Sequence, residues 1–140
     1  MGNSIYKPLR DPQREIRLLQ LLPGYGAIPI QCILLHVNLD YAPKYEAISY
    51  TWGDPNVKNQ IWIDGKSFDT MGNSRNALHE LRLRHVSRVI WLDAICINQE
   101  DLTEKSSQVL LMRNIYEKAS EVVIWLSPPR VDPDLAADFI

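Results

Sequence analysis

A chain of 140 residues, 46% of them apolar and 23% charged, supplies one compact core and excludes a second full domain. Fifteen basic against seventeen acidic residues leave a net charge of −2, which excludes a chain-wide field for nucleic acid or an anionic membrane. Cys32 and Cys96 stand far apart with no Cys-x-x-Cys or Cys/His cluster, which argues against zinc and disulfides, and no apolar run reaches the roughly 18 residues of a membrane span.

Residues 1–14 read as an N-terminal arm, and 15–140 as one α/β domain. Over 15–21, Ile16 and Leu18 share a face with Arg17 between them. Pro23-Gly24-Tyr25-Gly26 supplies a turn, and 30–37 is a second β-rich run. This N-terminal hairpin is expected to keep one face in water, so it belongs at a sheet edge or in a small sheet of its own. Gly24 and Gly26 are not a dinucleotide fingerprint, because Ile28-Pro29 follows where a third glycine and a helix start are needed. A strand is predicted over 45–52, ended by Gly53-Asp54-Pro55, and a hairpin over 61–68 turns at Asp64-Gly65. A helix follows from Asn73 or Ser74 to Arg84, burying Ala77, Leu78 and Leu81.

The run 89–97 is almost continuously apolar and reads as a strand covered on both faces. A helix is predicted over 101–120, with Asp101 and Glu104 spaced as a capping box. A second buried strand over 121–126 stops at Ser127-Pro128-Pro129, and 132–140 reads as the start of another helix. Strand, helix and strand of these lengths make a βαβ unit, so the runs near 47–50, 89–92 and 122–126 should be neighbouring parallel strands.

In open α/β sheets, ligands bind beyond the carboxyl ends of the strands, where this chain carries Trp52, Gly53 and Asp54, then Asn98 and Gln99, then Ser127. Trp52 can stack on a ring or simply pack before a turn, and Gly53 lets a ligand approach the backbone. Asp93 inside an apolar strand needs a partner, whether as a site group or as an acceptor for loop amides. Cys96 is a core thiol or a ligand contact. Asn98 and Gln99 either read a ligand's polar edge or hold the loop. The basic run Arg82, Arg84, His85 and Arg88 reads as a solvated helix end. His36, His79 and His85 are scattered singly and form no metal or triad pattern.

Three stretches together resemble the fungal heterokaryon-incompatibility (HET) domain. They are Glu15-Ile16-Arg17-Leu18-Leu19 with its proline-glycine turn; Tyr45-Glu46-Ala47-Ile48-Ser49-Tyr50-Thr51-Trp52-Gly53-Asp54; and Trp91-Leu92-Asp93-Ala94-Ile95-Cys96-Ile97-Asn98-Gln99 running through Glu104, Gln108, Met112 and Tyr116 to Trp125-Leu126. Ser127 stands where that pattern has Gly. The family is similar to TIR domains, which implies a flavodoxin-like, mainly parallel sheet behind the N-terminal hairpin. Such domains continue further, so the chain is expected to be shortened at its C-terminus.

The resemblance implies an effector in fungal self/non-self recognition and cell death; the two separate thiols and the lack of an apolar span or secretory h-region point to a cytoplasmic location. Its action is either cleavage of NAD as substrate, with no cofactor or metal required, or non-catalytic signalling by self-association or with another signalling protein. The glutamate that cleaves NAD in TIR domains has no counterpart in 128–140, which holds Asp132, Asp134 and Asp138 but no Glu. By the HET pattern the acid at this edge is Glu104, assisted by Asp93, with Trp52, Gly53, Asp54, Cys96, Asn98 and Gln99 around a nucleotide ligand.

Overall fold

Turn chemistry and apolar alternation divide the chain into strands β1 (Glu15–Leu21), β2 (Gln31–Asn38), β3 (Glu46–Tyr50), β4 (Lys58–Ile63), β5 (Lys66–Met71), β6 (Arg88–Trp91) and β7 (Glu121–Trp125). Among the described residues three α-helices join them: α1 (Ser74–Leu81), the single turn α2 (Asp93–Cys96) and α3 (Leu102–Lys118). In the computed structural model, which describes residues 4–126, the strands form one sheet in the order β5-β4-β2-β1-β6-β3-β7. Ser127 and the helix expected over 132–140 lie outside the described residues.

The class is α/β as expected, but the sheet is mixed rather than mainly parallel. Three of its six strand pairings are parallel (β2 with β4, β3 with β6, β3 with β7) and three antiparallel (β1 with β2, β1 with β6, β4 with β5). The parallel triplet β6-β3-β7 matches the expected neighbours, with α3 as the crossover between its outer strands. The β4/β5 hairpin also forms as read. Its turn residues Asp64 (φ 52°) and Gly65 (φ 77°) both sit in the left-handed region that a two-residue hairpin demands.

The N-terminal hairpin is not at an edge. β1 is the middle strand, and Ile16, Leu18, Leu19 and Leu21 are all fully buried. Alternation misled because Arg17, which looks like a solvated position, is itself fully buried. Ile5 and Leu9 of the arm pack into the same core.

Register fixes which side chains share a face. Ala47 aligns with Trp91 on one side and Val122 on the other, and Trp91 meets Tyr116 of α3 edge to face at 5.6 Å, so this face looks toward α3. Tyr50 and Trp125, aligned with each other, point the other way. There the Tyr50 hydroxyl lies 3.0 Å from Ser74 Oγ, and Trp125 Nε1 donates to Glu80 of α1 at 2.7 Å.

Candidate functional site

Beyond the carboxyl ends of β3 and β6, two loops meet. The first leaves β3 through Thr51, Trp52 and Gly53 (φ 80°) and turns at Asp54, whose carboxylate accepts from Asn56 N at 2.9 Å and whose carbonyl accepts from Val57 N at 3.1 Å. Asp54 therefore holds its own turn. The loop is pinned from below by Gly72 and Asn73. Gly72 has φ 61°, and a Cβ there would stand 1.8 Å from the Trp52 carbonyl oxygen, so only glycine fits. Asn73 N donates to that carbonyl at 2.7 Å, and Asn73 Nδ2 donates to Thr51 O at 2.9 Å. Asn73 thus spends on the loop the side chain that could have capped α1.

Pinned in this way, Trp52 keeps 37% of its surface exposed and donates Nε1–H to Asp93 Oδ1 at 3.1 Å. Asp93 is not inside a strand as the apolar run implied. β6 ends at Trp91, and Asp93 opens α2, whose Ile95 and Cys96 are buried. A four-residue helical turn and a strand end have the same apolar signature when both are covered. Burial raises the Asp93 carboxyl above the usual Asp range, opposed by the Trp52 hydrogen bond and by the amides of Ala94 and Asp93 itself. The Tyr50 hydroxyl, also raised by burial, closes the inner side with Ser74.

On the other side of α2 opens a cleft of about 530 Å³. Asn98, Gln99 and Glu100 form its floor, Tyr6 and Phe68 an aromatic wall with rings 6.2 Å apart and edge to face, and Lys58 its cation. Asn98 and Gln99 both hold the loop and line the cleft: Glu100 N donates to Asn98 Oδ1 at 3.2 Å, and Gln99 Nε2 donates to Asp93 O at 3.0 Å. Gln99 Oε1 is buried without a partner. Met71 belongs to the cleft and immediately precedes Gly72, so the cleft and the Trp52 ledge share a wall.

Two expected site residues are elsewhere. Cys96 has no exposed surface, and burial pushes its thiol up to about 12, which makes it a core group with no thiolate to offer. Cys32 is raised to about 12 in the same way. Glu104 is buried in a bidentate pair with Arg17: Nη1 donates to Oε2 at 2.8 Å and Nη2 to Oε1 at 2.6 Å. Asn98 N donates to Oε2 at 2.7 Å. Asp101 caps α3 by accepting from Glu104 N at 3.1 Å, but the Glu104 carboxylate does not complete a capping box, because Arg17 has taken it. Arg17 also donates to Lys7 O (2.9 Å) and Cys96 O (3.3 Å), and its guanidinium lies 4.9 Å from the Tyr6 ring centre. The sequence signal for this knot was an arginine inside a strand otherwise apolar enough to be buried on both faces.

Of the basic run, Arg82 is buried and donates to Ile28 O at 2.7 Å, Arg88 pairs with Glu46, and Arg84 lies over the Tyr25 ring. These contacts are structural. Among the described residues no cluster of His, Cys, Asp and Glu is arranged to hold a metal ion, and no helix is long and apolar enough to cross a membrane.

The fold and ledge define an α/β domain with an aromatic and a carboxylate displayed at the carboxyl edge of a parallel triplet. Residues 45–139 match the family Heterokaryon incompatibility protein (HET), and the chain belongs to that family. It is 37% identical over 144 aligned residues to heterokaryon incompatibility protein 6, OR allele, of Neurospora crassa. That alignment covers 93% of this chain and 21% of the relative, so the chain spans about a fifth of the length of the curated relative it matches. No solved structure matches the chain.

Proposed function

We propose that this chain is an effector module of fungal self/non-self incompatibility, and that it acts by hydrolysing NAD at the Trp52–Asp93 ledge. Membership of the HET family and the name of the Neurospora relative support the first part. One observation carries the second: a half-exposed indole is fixed by its own N–H to a carboxylate that burial has raised above its usual range, at the sheet edge where ligands gather.

In this reading Trp52 stacks on the nicotinamide ring, and Asn98 and Gln99 orient the remainder in the adjoining cleft. The bond from ribose C1′ to the pyridinium nitrogen breaks, its electron pair leaves with neutral nicotinamide, and positive charge develops on the ribose. Asp93 faces that charge and accepts the proton of the water that bonds to C1′, giving ADP-ribose. Glu104, expected by resemblance to be the acid, holds the floor instead.

Incubating the purified chain with NAD and separating the nucleotides tests this directly. Nicotinamide and ADP-ribose should accumulate with wild-type protein and with Glu117→Gln on the exposed side of α3, and should be absent with Asp93→Asn. Wild-type protein that leaves NAD intact, with tryptophan fluorescence unmoved by added NAD, would falsify the reading.

A further inference from the structure

The cleft beside the Trp52 ledge has a lining that selects what can enter it. Its volume of about 530 Å³ lies within the range of small-ligand sites, and Tyr6 and Phe68 give it one aromatic wall. Gln99 lines it next to the ledge and donates Nε2–H to Asp93 O, which leaves Oε1 buried without a partner among the described residues. A buried acceptor in that state is costly until a donor reaches it.

Charge around the cleft is unequal. Among the described residues Lys58 is the one cation that lines it, against the carboxylates of Asp69 and Glu100. Lys58 opens β4, Asp69 lies in β5 and Glu100 in the loop before α3, so the hairpin and that loop bring the three together. All three are exposed, and among the described residues none enters an ion pair. Their charges are therefore free to meet a ligand.

The cleft is continuous with the ledge, because its Ala94 follows Asp93 and its Met71 precedes Gly72 beneath Trp52. A dinucleotide with its nicotinamide on Trp52 must place its other half here. We propose that the cleft holds the adenosine half, and that Asp69 and Glu100 restrict it to a ribose with a free 2′-hydroxyl, so that the substrate is NAD and not NADP. The identity of the ligand rests on the NAD reading. The adenine lies against the aromatic wall, its amino group gives Gln99 Oε1 the missing donor, and Lys58 meets the pyrophosphate. A carboxylate accepts a hydrogen bond from a ribose hydroxyl, the device by which dinucleotide folds recognise NAD. A 2′-phosphate would instead bring more negative charge to a site already in acidic excess, and repulsion sets the preference.

Titration calorimetry with ADP-ribose and with its 2′-phosphate, neither of which has the bond to be cleaved, separates selection from turnover. ADP-ribose should bind at least about tenfold more tightly, a ratio within reach of like charges brought together. Asp69→Asn with Glu100→Gln should bring the two ligands within about threefold of each other, because only the charge is removed. Both substitutions fall on exposed side chains outside ion pairs, so the fold is retained. Equal affinities in the wild-type protein, a gap that the double variant leaves unchanged, or no binding of either ligand would overturn the proposal. Hydrolysis assays keep this apart from the reaction itself. The tenfold preference with NAD left uncleaved retains the selective cleft without the hydrolase, whereas NAD and NADP cleaved equally well retains the hydrolase and removes the selectivity.

Discussion

Glu104 and Asp93 are both acids near the carboxyl edge of the sheet, and their surroundings differ in a way that separates architecture from chemistry. Glu104 has each oxygen on the Arg17 guanidinium and a third donor in the Asn98 amide, with almost no exposed surface. Asp93 has a single side-chain partner, Trp52, and keeps part of its surface in water. Complete pairing fixes a carboxylate as a tie between β1, α3 and the floor of the cleft. Incomplete pairing under partial burial leaves a group that can still exchange protons and meet a ligand.

The largest effect should come from breaking the tie. Arg17→Met leaves Glu104 buried and unpaired, and Glu104→Gln does the converse to Arg17, so each should cost about 3–5 kcal/mol in urea unfolding. The double variant Arg17→Met with Glu104→Leu should recover most of that loss, because two apolar groups of similar volume need no solvation. A single variant within about 1 kcal/mol of wild type, the range of an exposed pair, would remove the contrast between the two acids.

Next in size is Gly72→Ala, which attacks the ledge from beneath. The left-handed backbone and the Trp52 carbonyl 1.8 Å from the added methyl force the loop to move. A cost of about 2–3 kcal/mol is expected, with a change in Trp52 fluorescence. Stability lost without any change at Trp52 would show that the ledge does not depend on this pin.

The parallel triplet was legible because 47–50, 89–92 and 122–126 are short apolar runs separated by lengths that suit crossovers, a pattern few topologies satisfy. The position of β1 was not. Its alternation was read with Arg17 as a wet residue, and only the tertiary partner Glu104, far along the chain, reverses that reading. Of the site, Trp52 lies where its strand end placed it, whereas Asn98 and Gln99 reach the same edge only after α2, and Asp93, expected inside the strand, opens that helical turn instead. Tyr6 escaped notice, and Asn73 was legible only as a helix start, because their contributions are contacts across the fold: Tyr6 Oη donates to Ile95 O at 2.6 Å, and Asn73 binds the Trp52 loop. Cys96 was drawn to the edge by chain neighbours, although the turn of α2 rotates it into the core.

A third carboxylate sharpens the comparison from the opposite edge. Glu46, about one-fifth exposed, accepts from Arg88 Nε and Nη2, both at 2.8 Å, beside a hollow of about 430 Å³ that Lys44 and Glu121 help to line. The Arg88 hydrogen bonds hold its carboxyl below the usual Glu range. Its stabilisation is therefore complete above the unfolded value and fades as pH falls through the lowered folded one. Glu46→Gln should cost about 1 kcal/mol at neutral pH, and the gap between variant and wild type should start to close near the ordinary Glu value of about 4.3 and vanish only as pH falls through the lowered one. A gap that persists unchanged into acid would assign the loss to packing rather than charge.

The smallest effect on stability, and the one that discriminates most, belongs to Asp93→Asn. Because burial raises the folded carboxyl above its unfolded value, folding is favoured while Asp93 is protonated, and that advantage is lost as pH rises through the raised value. At neutral pH the charged Asp93 is a burden on the fold, whereas an asparagine Oδ1 still accepts from Trp52 Nε1. The variant should therefore melt at the wild-type temperature or slightly above it at neutral pH, with the difference closing toward acid pH, while NAD turnover disappears. Stability and activity moving in opposite directions is the behaviour of a group retained for chemistry, and Glu104→Gln should lack it because there the fold itself fails. A melting temperature lowered by Asp93→Asn as far as by Glu104→Gln would place both acids in the same structural role and leave the ledge without its reactive group.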